Sequence, residues 1–281
     1  MKGIGSFKKV FGIILSVSLL IFLSNIGDTF AARSTIIIKG STTVLPIAQI
    51  AAEVFMNRNP DVDISVQGGG SGVGIASIID GTCDIADSSR PIKGKELKKA
   101  KIKGINLKAN VIAMDGIAVI VHPSNKVNGI SKNKIKDIYT GKISNWAELG
   151  GANKKIVVVS RDTASGTFEA FNKLVLDEEK VRPDALMQTS NQAVATVVAR
   201  TPGAIGYVGL GYLSAKVKAI AIDGVAPSKE AVRSGKYPLA RSLFMYTNGE
   251  PEGLVKDFID FILSEEGQKL VEEAGYIGLG K

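Results

Sequence analysis

The sequence predicts an α/β protein of two lobes, with mixed but mostly parallel sheets and helices on both sheet faces. Three observations predict it. Runs with the strand period alternate with runs of helical period along nearly the whole chain. The alternation comes in two sets over about 250 residues, more than one α/β lobe usually takes. Four strands end in a turn rich in glycine or hydroxyl residues, most of them before a helix, as parallel strands followed by helices do.

In the first set, the β-branched run 35–39 reads as a strand. Residues 45–58 follow, with Leu45, Ala48, Ala52 and Phe55 at helical spacing and Pro46 near the start, where proline is tolerated. Residues 63–67 alternate as a strand, and Gly68-Gly69-Gly70-Ser71-Gly72 opens a helix through Ile79. Residues 84–86 form a short strand ending in Asp87-Ser88-Ser89-Arg90-Pro91. Residues 95–101 read as a charged, solvated helix, and 110–114 and 116–122 as nearly continuous strands. In the second set, 132–139 is a helix stopped at Gly141. Residues 155–160 contain Ile156-Val157-Val158-Val159, suited to a strand buried on both faces. Residues 165–176 are helical, and Ser190 caps a helix over 191–200. Strands are expected at 206–208, 217–222 and 242–247, and amphipathic helices at 254–263 and 268–273. The joins fall near 115–116 and 239–243, so that residues 32–115 form lobe 1, 116–241 lobe 2, and 242–281 return to lobe 1, with the two crossing strands as a hinge. A cleft between lobes is the default ligand site.

Residues 1–31 read as an export signal: Lys2, Lys8 and Lys9, an uncharged apolar run over 10–23, then small residues up to Ala31-Ala32. A periplasmic or otherwise exported location follows. The whole chain carries +8. The leader's three lysines and Asp28 contribute +2, leaving +6 on residues 32–281. One cysteine, Cys83, excludes a disulfide framework, and one histidine, His122, excludes paired-histidine metal motifs. With aromatics at 6%, no nucleic-acid stacking platform is expected. No cofactor, no metal and a monomer are expected. Cys83 reads as an inert core thiol, His122 as structural and Trp146 as a packing anchor.

Chemistry concentrates in four turns: Gly40-Ser41-Thr42-Thr43, Gly70-Ser71-Gly72, Asp87-Ser88-Ser89-Arg90, and the run from Ser160-Arg161-Asp162 to Ser165-Gly166-Thr167. A helix start exposes unpaired N–H groups and the positive end of its dipole. Hydroxyls add donors, and glycine lets the backbone come close. Arg161 adds a fixed charge whose fork suits an oxyanion. Each turn alone reads as a helix cap worth about 1 kcal/mol; four at equivalent strand ends point to a site for a tetrahedral anion. Nucleotide and hydrolase signatures fail: no third glycine completes G-x-G-x-x-G after Gly70, and Val73 breaks G-x-S-x-G around Ser71.

With these motifs in their order and spacing, together with Asp84-Ile85-Ala86 and Ile138-Tyr139-Thr140-Gly141-Lys142-Ile143-Ser144-Asn145-Trp146, the chain resembles the PstS-type phosphate-binding proteins, exported solute receptors of ABC phosphate importers. The resemblance spans residues 34–281. It implies the type II periplasmic binding fold closing over inorganic phosphate, with the membrane subunits of an ABC permease as partner and no covalent chemistry. By motif it implies ligand contacts from Thr42, Thr43, Ser71, Ser89, Arg161, Ser165, Gly166 and Thr167, with Ser41, Ser88 and Asp87 as secondary candidates. Many members carry in the third turn an Asp that accepts the proton of hydrogen phosphate. Aligned through Pro91, that position here is Ser89. A hydroxyl donates or accepts, so Ser89 can bind, but the basis for excluding fully ionised sulfate weakens. The alternatives are therefore the same fold binding sulfate, molybdate or tungstate, and, further off, an exported phosphoesterase using Ser71 or Ser165.

Overall fold

The strand β1 (Ser34–Gly40) shows how the first half is organised. Its three consecutive isoleucines divide between two faces, because side chains alternate along a strand. Ile36 and Ile38 are fully buried against α1 (Leu45–Arg58), α8 (Gly253–Leu263) and α9 (Glu265–Glu273), while Ile37 packs on the opposite side with α2 (Ser71–Ile79) and α3 (Gly94–Ile102). An apolar run without polar alternation thus marks a strand covered on both faces. Phe55 and Phe258 meet edge to face at 5.5 Å between α1 and α8; truncating either to alanine costs about 3–5 kcal/mol. The computed structural model describes residues 34–280. The export signal expected over 1–31 lies outside them. Among the described residues no helix is long and apolar enough to cross a membrane.

The remaining strands are β2 (Val62–Gly68), β3 (Ile85–Ser88), β4 (Leu107–Val121), β5 (Gly129–Ile130), β6 (Val157–Arg161), β7 (Leu186–Gln188), β8 (Ala204–Gly209), β9 (Lys218–Ala219), β10 (Ala221–Ile222) and β11 (Ala240–Asn248). They run in the order β2-β1-β3-β11-β4-β8-β6-β7, with β9 beside β4 and β10 paired to β5. The outer pairs β1–β2, β1–β3, β6–β7 and β6–β8 are parallel, whereas β11 and β4 run antiparallel to their neighbours. The sheet is mixed, with its antiparallel strands at the centre.

The two strands expected over 110–122 are one. β4 pairs with β11 through Gly116 and with β8 from Ile117 onward, and Ile117 N–H donates to the Leu239 carbonyl at 2.9 Å. Buried apolar residues separate accordingly. One core draws almost wholly on residues 117–239, the others on 36–113 and 243–276. The strand expected over 217–222 is split around Ile220, since β9 bonds to β4 and β10 to β5. The helix expected over 165–176 is α5 (Gly166–Phe171) followed by a π turn, Asn172–Leu176. Helices α4 (Lys132–Thr140) and α6 (Asn191–Arg200) lie where expected, α4 ending on a left-handed Gly141. The five-residue α7 (Lys229–Arg233) and three-residue β7 are too short to leave a period in the sequence.

Candidate functional site

The four turns converge through backbone bonds before any side chain is considered. Gly70 N–H donates to the Gly40 carbonyl at 2.8 Å, Ser41 N–H to the Asp87 carbonyl at 2.9 Å, and Gly72 N–H to the Ala164 carbonyl at 2.9 Å. The last bond joins the first half of the chain to the second. Glycine is required on both sides of it. Gly70 has φ +98°, where L side chains are strained, and a Cβ there would lie 2.6 Å from the Ala164 oxygen. A Cβ on Gly166 would lie 2.2 Å from Ser71 Oγ and 2.7 Å from Ser89 Oγ.

All eleven candidates are buried. Thr42, Thr43, Ser71, Ser89, Arg161, Gly166 and Thr167 form one cluster. Thr43 Oγ1 and Thr167 Oγ1 are 2.9 Å apart, Ser89 N–H donates to Ser71 Oγ at 3.0 Å, and Arg161 Nη2 donates to Thr42 Oγ1 at 3.3 Å. Ser165 caps α5, its oxygen accepting from Phe168 N–H at 3.1 Å. Three secondary candidates are used differently. Ser41 Oγ accepts from the backbone of Thr43 and Val44 within its own turn. Ser88 Oγ donates to the Arg90 carbonyl at 2.8 Å, turning away from the cluster. The Asp87 side chain makes no described hydrogen bond to the others: its Oδ1 is buried without a partner, and burial holds its carboxyl well above the usual range.

Arg161 is fully buried at the end of β6. Its Nε donates to the Gln188 carbonyl at 3.1 Å and its Nη2 to the Thr189 carbonyl at 3.0 Å, while Nη1 has no partner. Asp162 does not neutralise it by contact, since Asp162 Oδ1 accepts from Ala164 N–H at 2.9 Å and closes the turn. Among the described residues Arg161 makes no ion pair, and burial lowers its pKa. A buried cation with a donor to spare is costly alone and calls for an anion.

Sequence reasoning missed three residues at this site. Asn191 opens α6 and donates to both Thr42 Oγ1 and Thr43 Oγ1, at 3.1 and 3.0 Å. Arg241, on β11, donates to Thr43 Oγ1 and to the Ser89 carbonyl, both at 3.3 Å. Its charge is matched by Asp115, whose Oδ2 accepts from Arg241 Nη2 at 2.8 Å and whose Oδ1 accepts from Leu210 N–H at 2.9 Å. Asn191 sits in a strand–Ser/Thr–helix turn like the other four, a signal that could have found it. Arg241 lies within a strand and carries no such mark.

The other singled-out residues stay apart. His122 Nδ1 bonds Ser124 at 2.8 Å. Burial pushes the Cys83 thiol up to about 12, an inert state. Trp146 is buried and donates Nε1–H to the Gly203 carbonyl at 2.9 Å, as an anchor does.

A model of the PBP superfamily domain matches residues 29–266. The phosphate-binding protein PstS of Bacillus subtilis is 42% identical over 251 residues, covering 88% of this chain and 81% of that protein. The chain belongs to the PstS family of phosphate-binding proteins. The family's likeness extends to structure. A crystal structure from Clostridium perfringens with bound phosphate aligns with a TM-score of 0.82 at 38% identity, covering 88% of this chain and all of that one. An ABC-type phosphate transport receptor from Vibrio cholerae aligns with a TM-score of 0.70 at 33% identity, over 87% of this chain. The α/β fold with a mixed sheet is that of the periplasmic binding proteins.

Proposed function

We propose that this protein is an exported receptor that captures inorganic phosphate between two lobes, 32–115 with 242–281 and 116–241, and delivers it to the membrane subunits of an ABC importer. The observation that carries the reading is Arg161, buried with no carboxylate against it and with Nη1 unpartnered, among the hydroxyls of Thr42, Thr43, Ser71, Ser89 and Thr167. A tetrahedral dianion supplies the missing charge and takes the donors. The mechanism is closure about the crossing strands with no bond made or broken. The PstS names of the relatives and the phosphate in the Clostridium perfringens structure support the same ligand. An esterase needs a base for its serine, and the chain's single histidine is held at Ser124, which leaves Ser71 and Ser165 without a histidine base.

Calorimetry with phosphate and sulfate tests the proposal. Phosphate is expected to bind one to one, and Arg161→Ala to weaken it by about 2–5 kcal/mol, because a charge-assisted buried partner is lost. Absence of phosphate binding by the intact protein refutes the reading. Because Ser89 occupies the third turn, sulfate is the competitor to measure. Sulfate binding more tightly than phosphate across neutral pH would reassign the same site to another oxyanion.

A further inference from the structure

The hydrogen bonds behind the first turn decide which way its hydroxyls can point. A threonine hydroxyl carries two acceptor lone pairs and one proton. Thr42 Oγ1 receives two donors, Asn191 Nδ2 at 3.1 Å and Arg161 Nη2 at 3.3 Å. Thr43 Oγ1 also receives two, Asn191 Nδ2 at 3.0 Å and Arg241 Nη2 at 3.3 Å. With both lone pairs engaged, each hydroxyl can only donate. Thr43 then donates to Thr167 Oγ1 at 2.9 Å, which leaves the Thr167 proton to point elsewhere. The Asn191 amide cannot reverse this by flipping, because its Oδ1 accepts from Gly209 N–H at 3.2 Å. Asn191 is fully buried and belongs to the second half of the chain, whereas Thr42 and Thr43 belong to the first.

We infer that Asn191 is a positioning residue that sets hydroxyl polarity: it holds Thr42 and Thr43 as obligate donors, so that Thr42 directly, and Thr167 through Thr43, present hydrogens to an anion that only accepts. The inference rests on the anion-receptor reading and goes beyond it, since it assigns selectivity to a residue reached only through the threonines. Protonated guests are disfavoured at Thr42 and Thr43, whose oxygens have no lone pair left to accept a hydrogen. The Ser71–Ser89 side is then where any proton on the guest must find its acceptor.

A double-mutant cycle with phosphate calorimetry tests it. Asn191→Asp replaces two amide hydrogens with acceptors, which draw the threonine protons away from the guest; phosphate binding is expected to weaken at least about 100-fold. Asn191→Ala frees the hydroxyls to turn, and is expected to cost about 10-fold or less. Thr42→Val is expected to cost about 10-fold in the intact protein but under about 2-fold on top of Asn191→Asp, because there the hydroxyl no longer donates. Additive losses overturn the inference, and so does an Asn191→Ala as impaired as Asn191→Asp. Melting temperatures without phosphate check that each variant folds. If Asn191→Asp does not fold, deuterium exchange decides: both side-chain amide hydrogens of Asn191 are expected to resist exchange in the phosphate-loaded protein and to lose that protection in Thr42→Val with Thr43→Val. Fast exchange in the intact protein overturns the inference. An intact protein that binds sulfate but not phosphate refutes the phosphate reading alone, and the same order of variants is then required of sulfate. One that binds neither overturns both.

Discussion

Replacing Gly166 by alanine should separate affinity from stability. A Cβ there would stand 2.2 Å from Ser71 Oγ, 2.7 Å from Ser89 Oγ and 2.9 Å from Ser71 Cβ. Ordinary contact is about 3.5 Å, so the closest pair falls short by roughly 1.3 Å. Rotating one hydroxyl does not relieve it, because Ser71 Cβ is itself too near and Ser71 Oγ holds Ser89 N–H at 3.0 Å. The two turns must part by about an ångström, an overpacking cost of about 1–3 kcal/mol. Ser71 and Gly166 come from different halves of the chain, so under the proposed lobe closure the cost falls on the closed state. Phosphate affinity should drop about 5- to 150-fold. The proposed opening of the lobes would part these turns and relieve the clash, and Gly→Ala where the backbone already suits alanine stabilises by about 0.4–1 kcal/mol through the unfolded chain. The melting temperature without phosphate should therefore hold or rise by up to about 4 °C. Calorimetry and thermal unfolding, with and without phosphate, read both effects. Unchanged affinity would refute the reasoning, since Gly166 would then not face Ser71 in the loaded state.

Three further outcomes are expected. Asp87 is buried with its carboxyl raised by desolvation, so the folded state keeps a proton that the unfolded state releases from its ordinary value of 3.8 upward. Stability should then fall as pH rises above about 4, by up to about 1.4 kcal/mol per pH unit until the native carboxyl ionises; Asp87→Asn should flatten that slope and melt higher at neutral pH. Glu169 on α5 is paired with Arg90 at 2.7 Å and with Lys93, both beyond β3 in the other half. Glu169→Gln should speed phosphate release by about 3- to 30-fold in stopped flow, the loss being tempered because Arg90 keeps Glu96 at 2.7 Å. Cys83 should ignore a thiol reagent at neutral pH and react once denaturant is added, because burial lifts its thiol to about 12; prompt labelling of the native protein would contradict its place in the core.

Much of this was legible because it has a period or a turn chemistry. The isoleucines of β1 announce a strand covered on both faces, and Ser190 before Asn191 announces a helix start. The four turns could be picked out because each puts hydroxyls at a strand end, three of them together with glycine and a helix start. What escaped depends on pairing across the chain. Arg241 faces Asp115, 126 residues away, and nothing local to either residue encodes the meeting. Ser88 and Ser89 look alike in sequence, yet one turns to Arg90 and the other to Ser71, a choice made at the end of β3 where the strand alternation runs out. The split of 217–222 likewise follows from two different partners, which the apolar run itself does not distinguish.

The bond from Ile117 N–H to the Leu239 carbonyl places the two ends of a 117–239 segment side by side, and that segment supplies nearly all of its own core. In architecture it is an insert, spliced into a host that begins at β1 and resumes at β11. Neighbouring ends and a core of its own are what excision, or fusion of the ends with new termini opened elsewhere, require of such a segment. A fluorescent reporter grafted at 116–117 or 239–240 would sit on the two crossing strands proposed as the hinge, where the proposed closure over a guest would become an optical signal.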